Sequence, residues 1–137
     1  MATYTKFNSF TYQLGLKTMD LSATGDVLKL YLTNTLPVIT DTVFGTPADI
    51  SSGNGYTAGG DDITNTWTES PAGTGLLNIS ANTWTASGGA IAQFRYVVLY
   101  NDTSTSKHLI GWWDYGSAID LADTETFDSG AATITIA

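Results

Sequence analysis

Hydrophobic and polar positions are most regularly arranged between Gln93 and Gly116. Within 93–101 both alternating sets of positions are apolar, with Phe94, Tyr96, Val98 and Tyr100 on one face and Val97 and Leu99 on the other. A run that is apolar on both faces and rich in β-branched and aromatic residues predicts a central strand. Small polar residues over 101–106 predict a turn, and the apolar run 109–113 follows. The segment therefore predicts an antiparallel hairpin on which the domain is organised.

The turn also predicts the register of this hairpin. If residues 103–106 form a four-residue loop, Asp102 faces Lys107, and each step away from the loop moves one residue along both strands. The pairs that follow include Tyr100 with Leu109, Val98 with Gly111, Tyr96 with Trp113 and Arg95 with Asp114. This register places the only arginine of the chain opposite a carboxylate.

Shorter alternating runs continue on both sides of the hairpin. Residues 27–34 predict a strand with Leu28, Leu30 and Leu32 inward and with Lys29, Tyr31 and Thr33 outward. Further short strands are predicted at 63–69, 76–80, 83–86, 118–121, 124–127 and 133–136, with Trp84 as a core anchor. Short strands separated by turn residues are typical of a β-sandwich or a barrel. We therefore predict a single all-β domain over residues 1–137, with at most one or two short helices.

Two segments depart from this pattern. Over residues 7–18, Phe7, Phe10 and Leu14 have helical spacing with Asn8 or Ser9 as the N-cap, whereas alternation from 10 to 16 fits a strand; we favour the helix. Residues 35–62 are rich in Gly and hold two of the three prolines, too long for a bare loop. We expect an edge strand at 38–44, a helical turn at 47–50, and contact arms for other proteins at 1–10 and 35–62.

Composition and charge narrow the functional classes. The 137 residues include no cysteine, which excludes disulfides, thiolate metal sites and a cysteine nucleophile. A formal net charge of −8 argues against a nucleic-acid partner, because phosphates require a basic patch. The sequence shows neither a signal-peptide pattern nor an apolar run of membrane-spanning length, so we expect no membrane partner and synthesis in a cytoplasm.

The sequence offers few candidates for chemistry. His108 is the only histidine, and its position at the end of the predicted hairpin loop is typical of an exposed turn residue. The acidic residues cluster without the spacing of a calcium loop, at Asp61, Asp62, Asp120, Asp123, Glu125 and Asp128. We therefore predict no catalytic, cofactor-binding or metal-binding residues and no enzymatic activity. The four tryptophans and seven tyrosines fit either core packing or a sugar-stacking surface.

Several blocks of the sequence resemble a family of small structural proteins from tailed-bacteriophage virions, of the capsid decoration or head-associated type. The blocks that carry the resemblance are 1–10 (MATYTKFNSF), 32–35 (LTNT), 53–60 (GNGYTAGG), 84–89 (WTASGG), 94–102 (FRYVVLYND) and 109–116 (LIGWWDYG). The resemblance implies a virion protein, in many copies or as a homo-oligomer, that binds the major capsid protein or other virion proteins. The alternatives are another virion component (head fibre, tail tube or tail tip) and a glycan-binding module.

Overall fold

The computed structural model describes residues 2–136, which form an all-β domain with a single short helix, as predicted. The elements in chain order are β1 (Thr3–Lys6), α1 (Asn8–Gly15), β2 (Leu28–Thr33), β3 (Asp61–Ile63), β4 (Asn65–Glu69), β5 (Gly75–Ile79), β6 (Thr83–Thr85), β7 (Ile91–Asn101), β8 (Leu109–Leu121), β9 (Thr126–Asp128) and β10 (Ala132–Ile136).

The strands form two antiparallel sheets and one small ribbon. Sheet 1 has five strands in the order β1-β8-β7-β2-β3, and sheet 2 has three in the order β10-β5-β4. β6 and β9 form the ribbon. Only Thr64 separates β3 from β4, so the chain passes directly from one sheet to the other there. The sheets are thus joined along one side, and the opposite side is bounded by the edge strands β1 and β10.

The main core lies between the two sheets. Leu30 and Leu99 of sheet 1 and Leu77 of sheet 2 belong to one cluster of buried side chains and have almost no exposed surface. Trp84 of the ribbon and Phe10 of α1 close the cluster, so the prediction of Trp84 as a core anchor is confirmed. This arrangement is β-sandwich-like, with apolar inner faces packed against each other.

A second apolar cluster covers the outer face of sheet 1. It contains Phe7, Tyr31, Tyr96, Val98, Tyr100, Leu109 and Trp112, with Phe44 packed against them. The inward placement of the β2 leucines is confirmed. The prediction of Tyr31 and Thr33 as outward, exposed residues is wrong, because both are fully buried. They are buried because the segment after β2 folds back over them: the Thr33 hydroxyl donates to the carbonyl oxygen of Ala48.

The central hairpin is present, but its predicted register holds only beside the turn. Tyr100 faces Leu109 as predicted, and the Asn101 N–H donates to the His108 carbonyl oxygen at 2.9 Å. Beyond that point Ile110 is an extra residue in β8, so Val98 faces Trp112 and not Gly111, and Tyr96 faces Asp114. The register prediction is therefore wrong for most of the hairpin.

The β-bulge at Ile110 has a packing cause. It turns Gly111 toward the inner face, where the Tyr4 ring fills the space that a Cβ would occupy, and turns Trp112 outward, where its ring packs on Phe7 with centroids 4.6 Å apart. Without the bulge, the indole of Trp112 would enter the inner core. A second irregularity, between Phe94 and Tyr96, places Phe94 in the inner cluster, opposite to its predicted face.

The Arg95–Asp114 ion pair forms despite the changed register. Arg95 Nε donates to Asp114 Oδ1 at 2.8 Å, and a second guanidinium nitrogen donates to Oδ2 at 3.1 Å. The backbone partner of Asp114 is Tyr96, so the pair is diagonal. The pair still forms because a guanidinium reaches a diagonal neighbour as easily as one directly opposite. Its two parallel hydrogen bonds make it bidentate.

The ambiguous N-terminal segment is helical, as favoured. α1 spans Asn8–Gly15, but its N-cap is Phe7 and not Asn8 or Ser9, and no side chain caps it. Residues 3–10 lie in the body of the fold, because β1 pairs with β8 and both Phe7 and Phe10 are fully buried. Met1 lies outside the described residues, and the contact role assigned to 1–10 stays a prediction.

Residues 35–60 contain neither of the two elements predicted for them. In place of an edge strand at 38–44, a single bridge joins Val43 to His108, and residues 47–50 are not helical. The segment is held by side chains instead. Asp49 accepts hydrogen bonds from the Tyr56 hydroxyl and the Gly59 N–H, because its carboxylate lies inside the turn that these residues form.

Two glycines with nearly the same φ angle allow a test of how closely this segment packs. Gly55 (φ +102°) would place a Cβ 2.2 Å from the carbonyl oxygen of Thr85, whereas Gly45 (φ +101°) would place one in open space. Both alanine variants carry the cost of positive φ. We expect Gly55→Ala to lower the free energy of unfolding by about 1–3 kcal/mol more than Gly45→Ala, because β6 must move. Urea unfolding measures the difference, and equal losses would contradict the close approach.

Candidate functional site

The first candidate surface begins beside a half-buried aromatic anchor, Phe44. Phe44 stacks on Tyr100, with ring centroids 4.8 Å apart, and packs edge-on against Tyr31. The Tyr31 hydroxyl donates to the Pro47 carbonyl oxygen at 2.7 Å, and burial raises the pKa of this hydroxyl above its usual value. A neutral, hydrogen-bonded tyrosine thus holds the segment at 44–47 against sheet 1. Residues 34–43, which connect the end of β2 to Phe44, therefore run across the surface of the domain.

That crossing exposes apolar side chains. Leu36 is 64% exposed, and Val38 and Ile39 are also exposed. The backbone here is fixed: the Asp41 N–H donates to the Val38 carbonyl oxygen at 2.8 Å, and the Asp41 carboxylate accepts from the Val38 N–H at 2.9 Å. These apolar side chains are therefore presented on an ordered turn.

The same surface continues onto α1. The Asn8 N–H at the start of the helix donates to the Ile39 carbonyl oxygen at 2.9 Å. Tyr12, which is 66% exposed, lies one turn further along the face of Asn8, and exposed Leu16 lies one turn beyond that. We call Leu36, Val38, Ile39, Tyr12 and Leu16 the apolar ridge. It contains five of the seven large hydrophobic residues that are exposed within residues 2–136.

A second surface is the groove beside Trp67. The indole lies directly over Gly75, because a Cβ there would be 2.3 Å from Trp67 Cζ2. The groove has a volume of about 430 Å³, and its other lining residues are Leu14, Lys17, Met19, Asp20, Leu21 and Ser22. Hydrogen bonds from the hydroxyl and N–H of Ser22 lower the pKa of Asp20. An exposed indole beside an ionised carboxylate, an ammonium and a hydroxyl can stack on a polar ligand and hydrogen-bond it.

A third surface, the sandwich cleft, lies where the two sheets are not joined. It has a volume of about 730 Å³ and is lined by Ala2, Trp113, Tyr115 and residues 128–133. Trp113 and Tyr115 belong to β8, whereas Ala132 and Thr133 belong to β10. Tyr4 of β1 packs against Trp113 with ring centroids 5.1 Å apart. The cleft is therefore an aromatic surface of sheet 1 that extends past the edge of sheet 2.

The acidic residues considered for chemistry bond either to backbone N–H groups of turns or to polar side chains. Asp123 accepts from the Gly88 N–H, Glu125 from the Ala122 N–H, and Asp128 from the Gly130 N–H. Asp120 accepts from the Gln93 amide, and Asp61 from the Asn82 amide. Asp62 is 3.5 Å from the Lys29 ammonium. Within residues 2–136 no three acidic or histidine side chains converge as metal ligands.

His108 is not part of any such group. Its Nδ1 atom is buried and has no hydrogen-bond partner among the described residues, and its backbone bridges to Val43. His108, which was predicted to be an exposed turn residue, is thus half-buried beside the segment that contains Val43.

The three surfaces offer apolar, aromatic and hydrogen-bonding groups, and this combination is suited to binding.

Sequence reasoning located part of this site. The predicted contact segment at 35–62 contains Leu36, Val38 and Ile39, but Tyr12 and Leu16 join them only through contact between the loop and the helix. The signal that could have found the helical part is the spacing of Tyr12 and Leu16, which puts them on the face opposite Phe10 and Leu14. No local signal brings Trp67 near Asp20, because these residues lie on different elements.

The pH dependence of the free energy of unfolding tests whether the ion pairs at the hairpin turn stabilise the fold. Lys107 donates to Asp102 and Lys29 lies 3.6 Å from it, and together they lower the pKa of the Asp102 carboxyl below its usual value. A lowered pKa stabilises the fold above about pH 4, and this contribution is lost as pH falls through the folded-state pKa. We expect Asp102→Asn to cost less than about 1 kcal/mol at pH 7 and nothing near pH 2, measured by urea unfolding. An equal cost at both pH values would contradict the ionic origin.

The functional interpretation of this chain rests on the three surfaces described above. The one helix within residues 2–136 is neither long nor apolar enough to cross a membrane. None of the protein-family models, curated proteins or solved structures compared with this chain matches it.

Proposed function

We propose that this chain is a bacteriophage virion structural protein, and more specifically a capsid decoration protein that binds the lattice of the major capsid protein. The observation that carries the proposal is the apolar ridge, an ordered strip of exposed hydrophobic side chains on an otherwise polar and acidic domain. The resemblance of the sequence to small tailed-phage virion proteins supplies the identity of the partner.

The ridge has the properties of a contact surface. Single exposed hydrophobic residues are ordinary, whereas contiguous apolar patches rimmed by polar residues mark interaction sites. Here Leu36, Val38 and Ile39 lie on a turn fixed by hydrogen bonds to Asp41 and Asn8, and Tyr12 and Leu16 lie on the helical segment that Asn8 begins. A preorganised turn loses little conformational entropy on binding, so more of the interaction energy appears as affinity.

The rest of the molecule is compatible with attachment in many copies. A particle presents many equivalent sites, so modest affinity at each one suffices for stable coating. The net charge of −8 keeps free copies soluble before assembly. The sandwich cleft, with a volume of about 730 Å³, is open to solvent. The resulting localisation is the surface of the virion, after assembly in the host cytoplasm.

Single substitutions on the ridge test the proposal. We expect Leu36→Ser and Ile39→Ser each to weaken binding to particles of the encoding phage that lack this protein by about 10-fold, as loss of a buried apolar anchor does. Co-sedimentation with those particles measures the affinity.

The matched control is Val27→Ser. Val27 is 43% exposed, close to the 45% of Ile39, but it lies outside the ridge. Its variant should bind within about 2-fold of the unmodified protein, because an exposed side chain outside a contact loses little. Equal binding by all three variants would refute the ridge as the contact. A reconstruction of the virion that places the chain in a head fibre, tail tube or tail tip would assign it to those parts instead.

The groove beside Trp67 favours glycan binding as a second candidate function. The indole is 39% exposed, which leaves part of an aromatic face open to a sugar ring, and Lys17, Asp20 and Ser22 line the same groove. Stacking of an apolar sugar face on an indole, with hydrogen bonds from charged side chains at its rim, is the chemistry that this set supports.

Substitution of the indole tests this second candidate. If the groove binds glycans, intrinsic fluorescence should change on titration with oligosaccharides released from bacterial surface polysaccharide. Trp67→Ala should then reduce affinity by at least about 10-fold, and Trp67→Phe should retain part of it, because a phenyl ring still stacks. Tyr12→Ala, which removes an exposed aromatic ring elsewhere, should leave the affinity unchanged. No response from the unmodified protein to any of these oligosaccharides would eliminate the candidate.

A further inference from the structure

Lys17 ends α1 in a backbone conformation that normally belongs to glycine. Its φ angle is +64°, in the left-handed region. The Lys17 N–H donates to the Leu14 carbonyl oxygen and the Thr18 N–H donates to the Gln13 carbonyl oxygen, both at 3.2 Å. These two hydrogen bonds form a Schellman motif, in which the left-handed position is usually glycine because a side chain there is strained. A strained residue that the fold retains points to a role outside stability.

The ammonium group of Lys17 has no polar partner among the described residues. The other basic side chains within residues 2–136 all have one, a hydroxyl for Lys6 and a carboxylate for Lys29, Arg95 and Lys107. Lys17 is exposed and lines the groove beside Trp67. Its charge is therefore free to pair with a ligand in that groove.

Asp20 lines the same groove but does not neutralise Lys17, because its own turn holds it. Its Oδ1 atom accepts from the Ser22 N–H at 3.1 Å and from the Ser22 hydroxyl at 2.7 Å. The Asp20 N–H donates to the Asp26 carboxylate at 2.9 Å. The bonds from Ser22 lower the pKa of Asp20, so its carboxylate stays charged. The groove thus combines a free cation, a fixed anion and an exposed indole.

We propose that Lys17 sets the specificity of this groove by binding the carboxylate of an acidic sugar while Trp67 stacks on the sugar ring. The inference rests on the glycan-binding candidate described above and names the class of glycan. The ammonium pairs with the sugar carboxylate, and Asp20 Oδ2, to which Ser22 does not donate, accepts from a sugar hydroxyl.

The charges of the protein favour a sugar with an isolated carboxylate over other charged ligands. A net charge of −8 repels a densely charged polyanion at long range. A single carboxylate on a sugar ring meets less of this repulsion, and its attraction to Lys17 is strongest at contact distance. An amino sugar would be attracted by the net charge, but it would bring a second ammonium into the groove beside Lys17.

Paired probes isolate the role of the sugar carboxylate. Oligosaccharides that contain glucuronic, galacturonic or N-acetylneuraminic acid are compared with the same molecules after chemical reduction of each carboxylate to a hydroxymethyl group. The two members of a pair have the same ring faces, so stacking on the indole is retained and only the acidic group differs. Titration followed by the intrinsic fluorescence of the protein measures the affinity for each member.

We expect the unmodified protein to bind the acidic member about 5-fold more tightly, as an exposed ion pair allows. This preference should fall as salt is added, because salt screens exposed charges. Lys17→Gln should bind both members alike, within about 2-fold of the affinity of the unmodified protein for the reduced member. Lys6→Gln removes the same charge beside α1 but outside the groove, so it should keep the preference.

A stability measurement separates this role from a structural one. Lys17→Gly should raise the free energy of unfolding, measured with urea, because it relieves the left-handed strain, and it should also lose the preference for acidic sugars. Lys17→Gln keeps the strain and should unfold like the unmodified protein. A Lys17→Gly variant that is less stable than the unmodified protein would show that the side chain supports the end of the helix, which contradicts the proposal.

Three binding results would also overturn the proposal. Equal affinity of the unmodified protein for both members of every pair would leave a glycan groove without the predicted specificity. A preference that Lys6→Gln reduces as much as Lys17→Gln would come from the overall charge and not from the groove. Absence of binding to both members of every pair would remove the glycan candidate itself, and this inference with it.

Discussion

The structure depends on the burial of β7 on both of its faces. Val97 and Leu99 pack into the core between the sheets, while Tyr96, Val98 and Tyr100 pack outward, and all five are almost fully buried. A strand of this kind requires cover on two sides. Sheet 2 and α1 cover the inner face. Within residues 2–136 no second sheet lies on the outer face, and the segment between β2 and β3 covers it, with Phe44 as its anchor.

That requirement explains where the binding surfaces lie. A covering segment without regular structure satisfies its backbone through side chains and tight turns, as the Asp49 and Asp41 hydrogen bonds do. Phe44 of this segment packs inward, whereas Leu36, Val38 and Ile39 face solvent. The ridge is thus exposed because a single loop covers the outer face of sheet 1.

The unequal widths of the sheets account for the other prominent surface. Because sheet 1 is wider than sheet 2, aromatic residues of β8 remain uncovered beside β10. The other edge strands of sheets 1 and 2 carry charged residues, which disfavour pairing with other chains: Lys6 in β1, Asp61 and Asp62 in β3, and Glu69 in β4. The apolar ridge and the sandwich cleft are formed by different residues, so a molecule bound at one surface would not contact the side chains of the other.

The sequence alone determined the class of fold, because alternation and turn residues are local signals. It identified the hairpin, the inward leucines of β2 and the contacts nearest the turn, where loop length fixes the first pairs, and it favoured a short helix over a strand within residues 7–18. Only the tertiary structure decided the bulge at Ile110, the burial of Tyr31 and Thr33, and the contact of Ile39 with the start of α1. Each of these depends on what packs against a strand from a distant part of the chain: Tyr4 over Gly111, Ala48 at Thr33, Ile39 at Asn8. Such long-range contacts set the register of the strands and the composition of the exposed surface. They cannot be predicted from the spacing of residues along one strand.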